Sequence, residues 1–142
     1  MTTRLFLIAI ILLLMACSNK VATVKGTLCF PSEYIPKMNV YLKESKSNKT
    51  YKLITTDNQQ SFKFKRIPFG DYQAYAYTAE SLGMDTNGKN VKSKGGYTHA
   101  VPCGLTVKCN DHRLILIKLR TRSNKEAIKI CDWYGADVPP EN

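Results

Sequence analysis

Four residues in the second half of the chain have the types and spacing for shared chemistry. His99, Cys103, Cys109 and His112 follow one another at intervals of x3, x5 and x2. Two thiolates and two imidazoles can satisfy a tetrahedral zinc ion. That site needs both thiols deprotonated, and its usual form brings cysteines in closely spaced pairs, which this spacing lacks. The same cysteines bracket the short stretch 104–108. In an oxidising compartment this favours a Cys103–Cys109 disulfide, with His99 and His112 left as loop residues making ordinary hydrogen bonds. Cys109 beside His112 is also a possible nucleophile pair, but the thiol would need an orienting partner and would have to escape the disulfide. Asp85-Thr-Asn-Gly-Lys-Asn90 is rich in oxygen ligands. It lacks the third acidic ligand and closing Glu of a calcium loop, and reads as an Asn-Gly turn. The expectation is therefore no metal, no cofactor and no catalytic residue.

A fifth cysteine stands apart. Residues 5–16 are uncharged and apolar, preceded by Arg4 and followed by Cys17. A run of this length is too short to span a bilayer, which takes about 20 residues. It fits the hydrophobic segment of an export signal. The junction Leu14-Met15-Ala16-Cys17 resembles the lipobox of bacterial lipoproteins, in which the cysteine sulfur accepts diacylglycerol before cleavage. The resemblance implies a signal peptide over 1–16 and a lipidated Cys17 opening a short linker over 17–20. Ser18, in the place where Asp would favour inner-membrane retention, points to the outer membrane.

Export bounds the rest. Removing sixteen residues from 142 leaves 126, enough for one domain. Arg4 is the only charge lost, so the mature net charge is +10 − 1 = +9. Partners of an exported basic chain are anionic glycans or lipid headgroups rather than nucleic acid. The lysines also serve to keep an outward sheet face soluble.

The mature sequence has short alternating runs separated by turn chemistry, the pattern of an all-β sandwich. Strands are expected over 21–30, 38–43, 50–56, 61–67, 72–79, 114–119 and 127–133. Residues 114–119 are apolar on both faces at their start, which suggests a central strand. Residues 80–111 read as one long Gly-rich loop, and 135–142, with two prolines, as a flexible tail. About seven strands give two packed antiparallel sheets over 21–134. In 72–79, Tyr72, Ala74 and Ala76 alternate with Tyr75 and Tyr77. If the first set faces inward, Tyr75 and Tyr77 point outward, beside Tyr41 on a neighbouring strand. Exposed, they could stack on sugars or anchor a partner; paired across strands, they pack on the sheet surface. Trp133 and Tyr134 are expected to cap the core.

Four cysteines remain after Cys17 is assigned to lipid, and four allow three pairings. Cys29 lies between inward Leu28 and Phe30, so it faces outward. Ile128 and Ile130 make Cys131 face outward too. If the first and last strands are neighbours, Cys29 pairs with Cys131; the alternative joins one of them to the long loop.

The stretch Phe62-Lys-Phe-Lys-Arg-Ile-Pro-Phe-Gly-Asp-Tyr-Gln-Ala, preceded by Val24-Lys-Gly-Thr-Leu, resembles the core of carboxypeptidase regulatory-like domains. These are transthyretin-like sandwiches, and the likeness covers residues 21–79. The segments 95–105, 109–112 and 132–134 are similar to small bacterial lipoproteins of that fold. The resemblance implies a non-catalytic envelope module for interaction or assembly, such as an accessory subunit of an envelope or secretion complex. A carbohydrate- or peptidoglycan-binding module using Tyr41, Tyr75 and Tyr77 is the alternative.

Overall fold

The structure, a computed structural model, describes residues 20–101 and 111–141. The expected signal peptide, Cys17, Cys103 and Cys109 lie outside the described residues. Within them the chain is all-β, and none of them is helical. The strands are β1 (Val21–Leu28), β2 (Met38–Glu44), β3 (Thr50–Ile54), β4 (Ser61–Pro68), β5 (Gly70–Thr78), β6 (Gly83–Met84), β7 (Asn90–Val91), β8 (Lys94–Gly96), β9 (Thr98–Val101), β10 (Asp111–Leu114), β11 (Ile117–Leu119) and β12 (Ile128–Ile130).

Two sheets share one core. The first has the order β12-β1-β4, and the second has the order β11-β5-β2-β3 with β8 also paired to β5. Val24, Leu28, Phe62, Phe64, Ile67, Ile128 and Ile130 from the first sheet pack against Met38, Val40, Leu42, Tyr72, Ala74, Ala76, Ile117 and Leu119 from the second. The period-2 alternation read in the sequence puts these residues on one face. In β4 the phase shifts. Phe64 pairs with Val24 but Ile67 with Ala22, so Lys65 and Arg66 together oppose Thr23. Arg66 takes φ 58° in this bulge, which returns Ile67 to the core side.

The chain changes sheets at Phe69. The Tyr72 hydroxyl donates to the Pro68 carbonyl at 2.9 Å and ties the corner. The Tyr72 ring is buried there, and burial pushes its phenol up to about 12. Gly70 contributes room rather than unusual φ: a Cβ there would lie 3.0 Å from both Glu44 Oε1 and the Tyr72 ring.

Four expectations need correction. The sheets are not wholly antiparallel, because β1 and β12 run parallel. The chain leaves β11 in one sheet, crosses over through 120–127, and enters the other alongside β1. Residues 114–119 do not form one central strand. They split into β10 and β11, and β11 is hydrogen-bonded to β5 alone among the described strands. The apolar run serves two different faces: Leu114 packs outside the second sheet and Ile117 and Leu119 inside it, while Leu116 is exposed. The described part of 80–111 is not a featureless loop. It includes the β6–β7 hairpin, β8 on β5, and β9, which pairs with β10 and so places His99 and His112 on strands. The tail is not loose: Ala136 and Val138 are buried.

Gly26 takes an inward position in the middle of β1. A Cβ there would run into the Phe62 ring and sit 2.8 Å from the Ile128 carbonyl oxygen. Gly26→Ala should therefore cost about 1–3 kcal/mol of stability, the range for overpacking a tight core. Denaturant unfolding checks this, and an unchanged midpoint would show that the ring and strand yield freely.

Candidate functional site

The tyrosines predicted to face outward do so, but they are not exposed. Tyr41 pairs directly with Tyr75 across β2 and β5. Their rings stack with centroids 5.3 Å apart, and Tyr77 meets both edge-on. Tyr41 and Tyr75 each retain only 2% of their surface. The cover is the C-terminal segment, which lays Ala136 and Val138 on this face. The sugar-stacking surface is therefore occupied by the protein's own tail. The physical reason is the amount of apolar ring surface on that face, which makes covering it favourable.

Polar contacts hold the tail in register. Glu141 Oε1 accepts from Asn39 Nδ2 at 2.6 Å and from the Tyr41 hydroxyl at 2.8 Å. Its Oε2 meets Lys92 Nζ at 2.7 Å. The Tyr77 hydroxyl donates to the Pro139 carbonyl at 2.8 Å. Burial alone would raise the Glu141 carboxyl, but the bonds from Lys92, Asn39 and Tyr41 outweigh it and hold the group below its ordinary range. Burial and the Glu141 contact push the Tyr41 phenol well up.

A second carboxylate organises the start of the tail. Asp132 Oδ2 accepts from Thr98 Oγ1 at 2.8 Å and faces His112 Nδ1 at 2.7 Å. Asp132 Oδ1 accepts the backbone amides of Gly135 at 3.0 Å and Tyr134 at 3.3 Å. Burial opposes ionisation, yet the bonds from Gly135, Thr98, His112 and Tyr134 hold the carboxyl below its usual value. With Asp132 ionised, His112 Nδ1 is the donor. This His–Asp pair has the form of an oriented base. Here the Thr98 hydroxyl donates to the carboxylate as well. Through these four bonds Asp132 brackets the turn at 134–135. Gly135 is needed in it, since a Cβ there would lie 2.5 Å from His112 Nδ1.

Cys29 and Cys131 form a disulfide, with Cα atoms 4.7 Å apart and a sequence separation of 102. They directly follow the paired residues Leu28 and Ile130 of the parallel ladder, so the expected adjacency of first and last strands holds. Trp133 caps the core as expected, its indole N–H donating to the Cys29 carbonyl and its ring meeting Phe30 edge-on. Tyr134 does not cap it and stays 89% exposed. Asp85 Oδ1 accepts the amides of Asn87 and Lys89, which fixes the Asn-Gly turn.

Sequence reasoning missed Asn39, Lys92, Asp132 and Glu141. Their one signal was the Ala136, Val138 alternation in the tail, which two prolines obscure. Comparison with protein-family models, with curated proteins and with solved structures finds no match to this chain.

Two carboxylates with depressed pKa values anchor the tail, which sets the sign of its pH dependence. Their contribution is complete above the ordinary carboxylate pKa of about 4 and is lost as pH falls through the lower folded values. Protection of the Asp137 amide, which donates to the His112 carbonyl, measured against the intrinsic exchange rate at each pH, should be high at neutral pH and fall in acid before the sandwich unfolds. Glu141→Gln should weaken docking by about 1 kcal/mol, the scale of a hydrogen-bonded ion pair near the surface. Protection that is insensitive to both changes would contradict the anchoring role.

Proposed function

We propose that this chain is a lipid-anchored protein of the bacterial cell envelope. In this reading its transthyretin-like β-sandwich is a non-catalytic module for interaction or assembly. The observation that carries the reading is the Cys29–Cys131 disulfide, a bond that persists in exported proteins and is rare in reducing compartments. It agrees with the export signal and lipobox-like junction ending at Cys17. Asp132 and Glu141 are both engaged in structural bonds, which favours binding over catalysis. The partner is an envelope protein, and the protein acts as an accessory subunit of an outer-membrane complex.

The disulfide has a mechanical use in this setting. A chain tethered through Cys17 is pulled at its N-terminal end. Force applied there loads β1 first, and the disulfide just beyond it stops unravelling at Cys29 by passing the load to Cys131 and the C-terminal segment.

Mass spectrometry of the mature N-terminus tests the reading. It should find acylated Cys17 as the first residue, and Cys17→Ser should abolish acylation and membrane retention. A mature chain starting elsewhere, or a serine variant that stays membrane-bound, would refute it.

A further inference from the structure

The outer face of the first sheet carries charge of one sign. β1, β4 and β12 together contain Lys25, Lys63, Lys65, Arg66 and Lys129, and no carboxylate. All five side chains are exposed. Lys25 stands directly opposite Lys63 in the antiparallel register. Like charges so placed destabilise a sheet pair, whereas a face kept charged only for solubility mixes both signs. At one end this face opens into a cleft of about 670 Å³ whose charged lining is Lys20, Lys63, Lys65, Arg66 and Arg122. Phe69 supplies an apolar wall, and no acidic residue lines it. The bulge at Arg66 and the Arg122 carbonyl, which accepts the Thr23 amide at 2.8 Å, bring the two cationic rims to either side of β1. Ion pairs are seen elsewhere, at Lys92 and Arg120.

The position of the cleft selects its ligand. The Lys20 carbonyl accepts the Phe69 amide at 2.9 Å, which fixes the chain at the cleft rim. Cys17 is three residues upstream, a reach of about 10 Å when extended. This is close to the Debye length of about 8 Å at physiological ionic strength. We infer that the cleft binds the phosphates of headgroups with net negative charge in the membrane to which the chain is tethered. It supplies the second, electrostatic signal that orients the sandwich with its first sheet toward the bilayer. The inference rests on the lipid anchor proposed above.

Amine labelling of the mature acylated protein in nanodiscs tests it. Discs of phosphatidylcholine alone are compared with discs that also contain phosphatidylglycerol. Labelling of Lys63 and Lys65 should fall in the anionic discs by about five-fold or more, the factor for one lysine near an anionic surface. High salt should restore it, and Lys46 and Lys49 should label equally in both. Equal labelling of Lys63 and Lys65 in the two lipids would overturn the inference and leave them as guards of the β4 edge. Protection by free glycerol phosphate in neutral discs, without a response to anionic lipid, would overturn the membrane assignment. The N-terminal mass reports separately on the anchor. If Cys17 proves unacylated, cosedimentation of the full chain with phosphatidylglycerol vesicles still reads the cleft. Binding lost in Lys63→Glu/Lys65→Glu but kept in Lys46→Glu/Lys49→Glu supports the inference, and no binding overturns it.

Discussion

The parallel pairing of β1 with β12, closed by the Cys29–Cys131 bond, is the constraint on which the rest of the structure depends. β12 has only three residues, joined to β1 from Gly26↔Ile128 to Leu28↔Ile130. So short a ladder has little stability of its own, and the covalent bond just beyond it removes the chain entropy that would otherwise open it. Trp133 completes the junction by donating to the Cys29 carbonyl and by filling the space that Gly95 leaves without a Cβ. Only with the chain held there can Asp132 turn it outward, so that residues 136–141 run across the outside of the second sheet.

The result is a molecule with two unlike faces. The second sheet is covered twice, by the core on one side and the tail on the other. This is why Met38 to Leu42 of β2 are buried at every position rather than alternately. The first sheet is covered once, and the charged residues of its strands are all cationic. The stacked tyrosines belong to the covered face and act as a second small core. The basic cleft belongs to the free face and sits at the end where the chain arrives from Cys17.

Much of the frame was legible because it depends on local periodicity. Val24, Leu28, Phe62, Phe64, Met38, Val40 and Leu42 alternate cleanly, and each lies in the core as its phase demands. The outward phase of Cys29 and Cys131 was readable for the same reason. What could not be read depends on contacts distant in sequence. Nothing local marks the tail as a third layer, since its partners Asn39 and Tyr41 lie about a hundred residues away. The split of 114–119 between two faces looks, from its composition, identical to one strand buried on both. The outward phase of Tyr41, Tyr75 and Tyr77 was correct, but phase alone says nothing of what covers the outer face. The parallel sense of β12 follows from a crossover that carries no pattern of its own.

The clamp between the terminal strands can be tested by mapping peptides of the non-reduced, thiol-blocked protein after tryptic digestion. Cleavage after lysine and arginine places the four cysteines on separate peptides, 26–37, 95–108, 109–113 and 130–142. A linked 26–37 and 130–142 pair, separating only on reduction, is the predicted result. A link from 26–37 or 130–142 to either of the other two peptides would contradict the pairing, and with it the route that brings the tail onto the tyrosine face.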